Sequence, residues 1–364
     1  MMAHVVSARS ISQPDAANIG VEVRNHIGHL ILNRPEGLNA LNLEMVRQLT
    51  RQLKRWAHDD SVQAVVLRGS GDRAFCAGGD VTALYHALRA GTSLPETFFT
   101  EEYALDSMLH HYRKPVMVLM DGLTLGGGLG LAQGVDLRVV TERSQLAMPE
   151  TAIGFFPDVG ASYFLNRVPG ELGIYLGVTG TRIEAADALY CGLADWYIDS
   201  AALADLDRLL DAIHWDVPPL KALQNVLAKL GVQVLPAPPL QRLRPAIDHF
   251  FALPDIPSIV QQLREVSIFD TRQWALDTAN TLQGLSPLAM AVTLTLLRKG
   301  RELSMERCFA LELHLARQWL DQGDLLEGVR AQLVDKDKTP RWTPSTIDEL
   351  SAHQVSQLFN GFED

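Results

Sequence analysis

The sequence predicts an α/β layered core followed by a helical C-terminal part, and three observations carry that expectation. Short apolar runs rich in β-branched residues alternate with longer stretches at helical spacing up to about residue 200. Proline then punctuates the chain at Pro218, Pro219 and LPAPPL (235–240), and the remainder is spaced as helix. The strand candidates are HLILN (29–33), QAVVLRG (63–69), VMVLMDG (116–122) and LRVVT (137–141). Between them, LEMVRQLTRQLKRWAHDD (43–60), VTALYHALRA (81–90) and ETFFTEEYALDSMLHHY (96–112) place apolar residues three and four apart, as helices require. Beyond the prolines the helical stretches are 256–266 and 288–323, and QLV (332–334) is the first later run with a strand signal. No fixed-period repeat argues for a solenoid.

At 364 residues the chain buries a large core, and 47% hydrophobic with 21% charged residues is ordinary for a globular enzyme. A net charge of −11 argues against a nucleic-acid surface, which needs clustered Lys and Arg to displace counterions. Cys76, Cys191 and Cys308 are odd in number and widely spaced, with no Cys-x-x-Cys pair, so they read as buried thiols in a reducing compartment. The stretch at 115–135 carries Asp121 and six glycines, which makes it a poor membrane span. MMAHVVSARSISQPDAANIG at the N-terminus lacks the apolar core of a secretory signal, and Arg9 with Asp15 disfavours a transit peptide. A cytoplasmic protein is the resulting expectation.

The motifs of nucleotide-phosphate binding, zinc peptidases and serine hydrolases are absent: no Gly-x-x-x-x-Gly-Lys, no His-Glu-x-x-His and no Gly-x-Ser-x-Gly. In GGGLG (126–130), Gln133 stands where a dinucleotide fingerprint starting at Gly128 needs its third glycine. Two glycine-rich turns remain, AFCAGGDVTALY (74–85) and LTLGGGLGLAQG (123–134). Each runs from a strand into a helical pattern, so each presents free amides at a helix start, and together they could polarise a carbonyl. The competing reading is that the glycines serve only tight turns and close packing. Asp80 by itself reads as an N-cap.

AMPETAIGFFPDVGASYFL, residues 147–165, carries Glu150 and Asp158 with no Lys, Arg or His between them. Each acid follows a proline, so helix capping is one reading. Two carboxylates in one apolar run point the other way, because a desolvated acid has a raised pKa or needs donors, and such groups gather at functional sites.

NRPEGLNALN (33–42), DRAFCAGGDV (72–81), KPVMVLMDGLTLGGGLGLA (114–132) and the PETAIGFFPDVGASYFL run resemble, in order and spacing, the crotonase or enoyl-CoA hydratase/isomerase superfamily. GDLLEGVRAQLVDKDKTPRWTP (323–344) resembles the ending of its 3-hydroxyisobutyryl-CoA hydrolase branch, so the likeness covers essentially the whole chain. The resemblance implies a crotonase-like spiral of β-β-α repeats, with residues 1–205 as the acyl-CoA-binding core and 206–364 as a helical region completing the active-site cover. It implies an acyl-CoA substrate, no cofactor beyond the CoA that the substrate carries, no metal, no nucleic acid and no membrane, and a homo-oligomer, trimer or dimer of trimers, as in relatives. The thioester oxygen would sit between the amides of Gly79 and Gly127.

Hydratases of the superfamily use two glutamates, one of them two residues beyond the GGG run, where this chain has Gly130. The other matches Glu150, and Asp158 in FPDVG matches the hydrolase acid. Glu102 in TEEYAL matches a substrate-contacting glutamate of that branch, although by itself it reads as a solvated helix acid. The implied reaction is hydrolysis of a short 3-hydroxyacyl-CoA, most closely 3-hydroxyisobutyryl-CoA as in valine breakdown, with Glu150 attacking the thioester or activating water and Asp158 orienting the substrate hydroxyl or the water. The alternatives are an enoyl-CoA hydratase or isomerase, and a non-catalytic CoA- or RNA-binding relative. Ala161 and Ser162 depart from the branch, where glycines are common, with an expected effect on the acyl pocket. Arg34, Lys336 and Lys338 are candidates for the CoA phosphates.

Overall fold

The computed structural model describes residues 18–230, 235–266 and 269–362. Of the N-terminal stretch on which the cytoplasmic expectation rested, residues 1–17, Arg9 and Asp15 included, lie outside them. Strands β1 (Ile19–Arg24), β2 (Ile27–Leu32), β3 (Ala64–Gly69), β5 (Val116–Met120), β7 (Leu137–Val140) and β9 (Trp196–Tyr197) form one sheet in the order β1-β2-β3-β5-β7-β9. Only the β1/β2 hairpin is antiparallel. The short strands β4 (Ala74–Cys76), β6 (Leu123–Leu125) and β8 (Gln145–Ala147) form a second, parallel sheet. The chain therefore lays one strand in the large sheet, one in the small, and then a helix or helical turn: β3 and β4 lead to helix α2 (Val81–Arg89), β5 and β6 to a further helix, and β7 and β8 to a 3₁₀ turn at Glu150–Ile153. These are the β-β-α repeats that the resemblance implied.

Parallel strands must be covered on both faces, and the side-chain alternation shows it. Val65, Leu67, Val116, Val118 and Met120 face the main core, whereas Ala64, Val66, Met117 and Leu119 face a second apolar layer. That layer is built by helices Leu203–Asp211 and Pro219–Lys229 through Leu206, Leu210, Leu223, Val226 and Leu227. On the main-core side, helix α1 (Leu43–Ala57) starts where the Asn42 side chain accepts from the Met45 amide at 2.9 Å. Its stripe Met45, Leu49, Leu53, Trp56 is buried. Helix α3 (Leu94–His110) packs beside it.

The four strands and three helices expected before residue 140 are present with ends displaced by a few residues, while the two-to-three-residue strands β4, β6, β8 and β9 are too short to carry a period. After β9 the described residues contain helices and no strand. The prolines open helices there: Pro219 and Pro239 occupy first turns, where a missing N–H costs nothing. The stretch expected to be one helix over 288–323 is two, Pro287–Gly300 and Met305–Gln322, because the Ser304 side chain caps a new start by accepting from Arg307 N. QLV is not a strand. It belongs to a π-helical turn, Arg330–Val334, which Arg330 pins by ion pairs to Glu327, Asp335 and Asp337 at 2.8, 2.7 and 2.7 Å.

Trp56 is 2% exposed and lies against β2 at Gly28, where a Cβ would come within 2.6 Å of the indole. Trp56→Ala leaves a cavity that the rigid sheet cannot fill, so urea denaturation should show a loss of about 3–5 kcal/mol.

Candidate active site

Both glycine turns end at the same place. The first follows β4: Gly78 O accepts from Leu41 N and Asp80 N donates to Leu41 O, each at 2.8 Å, which fixes the backbone on either side of Gly79. Asp80 then caps α2 by accepting from Ala83 N at 3.2 Å and pairs with Arg34 at 3.0 Å, so the N-cap reading of Asp80 holds. The second turn follows β6: Gly126 has φ +50°, and Gly127 begins helix α4 (Gly127–Gln133) as a first-turn residue whose amide has no partner within the helix. Among the described residues neither the Gly79 nor the Gly127 amide donates a hydrogen bond. A Cβ on Gly127 would fall 3.5 Å from Gly79 N and 2.5 Å from Glu102 Oε1, and one on Gly126 would fall 2.5 Å from Glu150 Oε1. The turns approach too closely for any side chain, and both acids meet them there.

The shared space is a cavity of about 290 Å³. Gly78, Gly79, Gly126 and Gly127 form one side, Phe98, Phe99 and Phe155 an aromatic wall, and Glu102, Glu150 and Asp158 the polar positions. Leu325 and Leu333 contribute from the C-terminal part, and no basic residue lines it. A larger hollow of about 710 Å³ opens beside Tyr175 and Arg182, and neither glycine turn reaches it.

Glu102 is 2% exposed, so its reading as a solvated acid is corrected: its neighbour Glu101 is the outward one and pairs with Arg47 at 2.7 Å. The signal was in the sequence, because Phe98, Glu102, Leu105 and Leu109 make one apolar stripe with an acid inside it. Glu150 opens the 3₁₀ turn after Pro149 and has a buried, unpartnered Oε2. Asp158 does not cap a helix with its carboxylate; Oδ2 accepts from the Tyr103 hydroxyl at 2.6 Å. One turn further along α3, Asp106 is fully buried with both carboxyl oxygens unpartnered. Tyr103 and Asp106 were missed because nothing in a helical period separates a structural tyrosine or acid from a functional one.

Burial raises the pKa of each of these groups, and neighbouring charges add to it for Glu102, Asp106 and Glu150. Burial pushes Glu150 well above the usual carboxylate range, with the charge of Asp158 adding to it. Glu102 is raised by burial and then by Asp106, Asp158 and Glu150. Asp106 is raised by burial, Asp158 and Glu312. Burial lifts Asp158 to about 7, against the pull of the Tyr103 hydrogen bond. Tyr103, raised by burial and by Asp158, remains a donor at neutral pH. With no cation to compensate, burial favours the neutral form of each acid, and the site faces unpartnered amides.

Gly130 also has a physical explanation. A Cβ there would lie 2.5 Å from Val159 Cβ, so the space above that position is filled by the residue that follows Asp158. Ala161 and Ser162 line no part of the cavity; the Ser162 hydroxyl donates to Glu312 at 2.6 Å, which corrects the expectation that they shape the acyl pocket. Arg34 is occupied by Asp80 and by Ala40 O, and Lys338 by Gln332, so neither is set aside for a phosphate. All three cysteines are buried and free.

Known proteins resemble the chain in sequence and in fold. A family model described as enoyl-CoA hydratase/isomerase matches residues 27–359. The mitochondrial 3-hydroxyisobutyryl-CoA hydrolase of Danio rerio is 36% identical over 99% of this chain and 93% of its own length. Among solved structures, a carnitinyl-CoA dehydratase from Mycobacterium thermoresistibile superposes with TM-score 0.87 at 36% identity, covering 96% of this chain and 98% of its own. An enoyl-CoA hydratase from Rhodobacter sphaeroides does so with TM-score 0.85 at 34% identity, covering 94% and 97%. The cytoplasmic expectation is overturned by the matched hydrolases, whose names place them in mitochondria. No helix among the described residues is long and apolar enough to cross a membrane. Matched along nearly its whole length in sequence and in fold, the chain belongs to the enoyl-CoA hydratase/isomerase, or crotonase, family.

Proposed function

We propose that this chain hydrolyses the thioester of a short 3-hydroxyacyl-CoA, 3-hydroxyisobutyryl-CoA being the substrate named for its relatives, to the free hydroxy acid and CoA. The observation that carries the reading is the pairing of Glu150 and Asp158 opposite the unpartnered Gly79 and Gly127 amides, with the place of the second hydratase acid closed by Val159. The thioester carbonyl enters between the two amides, which receive the negative charge that develops on its oxygen; one such donor is worth about 3 kcal/mol to the transition state. Glu150 either attacks the carbonyl carbon, expelling CoA thiolate and leaving an anhydride that water cleaves, or takes a proton from the water that attacks. Thiolate leaves without a strong acid. Asp158, held by Tyr103, orients the substrate hydroxyl or the water. Glu102 contacts the substrate beside Gly127.

In the same proposal residues 1–205 bind the acyl-CoA and residues 206–364 close over it, as Leu325 and Leu333 do at the cavity. Breakdown of valine is the setting that such a substrate suggests. Assembly into trimers rests on the resemblance alone and is checked by light scattering.

Hydration of an enoyl-CoA is the second reading, favoured by the likeness to the Rhodobacter sphaeroides enoyl-CoA hydratase. Loss of enoyl absorbance with crotonyl-CoA, set against thiol release from 3-hydroxyisobutyryl-CoA, separates the two. Glu150→Gln should cut thiol release by on the order of 10³-fold or more in a folded protein; near-normal turnover would remove Glu150 from the mechanism. Asp158→Asn should also reduce turnover sharply, and a change confined to thermal stability would return Asp158 to a structural role. Gly130→Glu should lower stability and bring no hydration of crotonyl-CoA, because the new side chain meets Val159.

The raised acids make activity and stability diverge with pH. Turnover requires an ionised carboxylate, so kcat/KM should fall as pH drops below about 7, where Asp158 takes up its proton. An acid with a raised folded-state pKa gives its full stability below the unfolded value of about 4 and loses it as pH rises through about 7. Asp158→Asn should therefore melt above the wild type by a few degrees at pH 8, with the difference vanishing near pH 4; a difference independent of pH counts against a buried, titrating Asp158.

A further inference from the structure

Asp158 stands at the start of a turn that should not hold its shape unaided. Val159 has φ +53° and Gly160 φ +87°, two consecutive left-handed residues, the first of them β-branched, a residue type rarely found there. The turn also delivers Val159 onto Gly130. Such strain persists only where surrounding structure over-determines it.

Here it is over-determined by one side chain from the far end of the sequence. Glu312, on the helix Met305–Gln322, has no solvent exposure. Its Oε2 accepts from Gly160 N at 2.7 Å, and its Oε1 accepts from Ser162 N at 2.8 Å and from the Ser162 hydroxyl at 2.6 Å. Three donors from one turn converge on two oxygens. Glu312 does not line the cavity. A buried carboxyl is a costly way to pack a helix, since an apolar residue in the same stripe would dock it at lower cost. What the carboxyl adds is a fixed direction for two backbone amides on either side of Ala161.

We propose that Glu312 is a positioning residue for Asp158: by gripping Gly160 and Ser162 it holds the left-handed turn that aims the Asp158 carboxyl at the cavity and at the Tyr103 hydroxyl. The proposal rests on the reading that Asp158 takes part in hydrolysis. Relaxation of the turn moves Asp158 off target, and a misplacement of about 1 Å costs on the order of 10²-fold in rate.

The test is a double-mutant cycle on the full-length protein, reading kcat and KM for thiol release from 3-hydroxyisobutyryl-CoA together with Tm. Glu312→Gln keeps the shape but turns an N–H₂ toward one of the donors. It should lower kcat by roughly 10- to 100-fold with a much smaller change in KM. In the Asp158→Asn background it should lower kcat no further, while its effect on Tm is the same in both backgrounds. Ser162→Ala, which removes one of the three donors and disturbs the fold least, should give a smaller loss of kcat that likewise disappears without Asp158; this variant carries the test if Glu312→Gln does not fold. Full kcat in Glu312→Gln or in Ser162→Ala, with Asp158→Asn impaired, overturns the positioning role and leaves the hydrolase reading standing. An equal loss of kcat in both backgrounds assigns Glu312 to general stability and overturns it as well. Full turnover in Asp158→Asn, or no thiol release by the wild type, overturns the hydrolase reading of the site and the positioning role with it.

Discussion

Desolvation of carboxyl groups with no cation beside them is the condition to which the rest of this structure is fitted. Glu102, Asp106, Glu150, Asp158 and Glu312 are all buried, and burial is the largest cause that raises the pKa of each. Water would solvate such a group and return its pKa to the ordinary range, so the raised acids depend on a shell that limits water, built with material from distant parts of the chain. The aromatic wall shows how. Phe99 stacks on Phe155 at 5.3 Å, Phe155 on Phe156 at 4.4 Å, and Phe156 meets Trp319 edge-on at 5.3 Å, with the indole donating to Gly154 O at 2.8 Å. Helix α3, the loop of the acid pair and the C-terminal helix thus close into one apolar shell around the acids.

Within that shell, one turn decides which side chains have room. Where a hydratase places its second glutamate, Val159 fills the space over Gly130, and the backbone that carries Val159 is the backbone that carries Asp158. One acid is excluded and another admitted by the same turn.

Much of the fold was legible in the sequence because burial imposes a period. β3, β5 and β7, and helices α1, α2 and α3, were readable from alternation or from spacing of three and four. The second sheet was not, since strands of three residues contain no full period, and neither was the break between Pro287–Gly300 and Met305–Gln322, which a serine cap imposes on a continuous apolar stripe. The glycine turns and the acid pair were legible as chemistry out of place. Glu102 was legible only through resemblance, although an acid within the stripe of Phe98, Leu105 and Leu109 already marked it. Glu312 sits in the same kind of stripe, between Cys308 and Leu315, and its meaning required knowing what lay across from it. An acid on the apolar face of a helix is a local signal; its partner is a long-range fact.

That long-range fact bears on how the protein is made. The grip of Glu312 on Gly160 spans 152 residues. During synthesis from the N-terminus, both sheets and the glycine turns leave the ribosome well before the helix that fixes the acid loop. The main core also takes side chains from those later helices, among them Leu297, Leu311, Leu315 and Trp319, so core and centre acquire their final geometry only after the last third of the chain has docked. The C-terminal helices therefore act as an assembly checkpoint, in which completion of the polypeptide and completion of the reactive centre are one event.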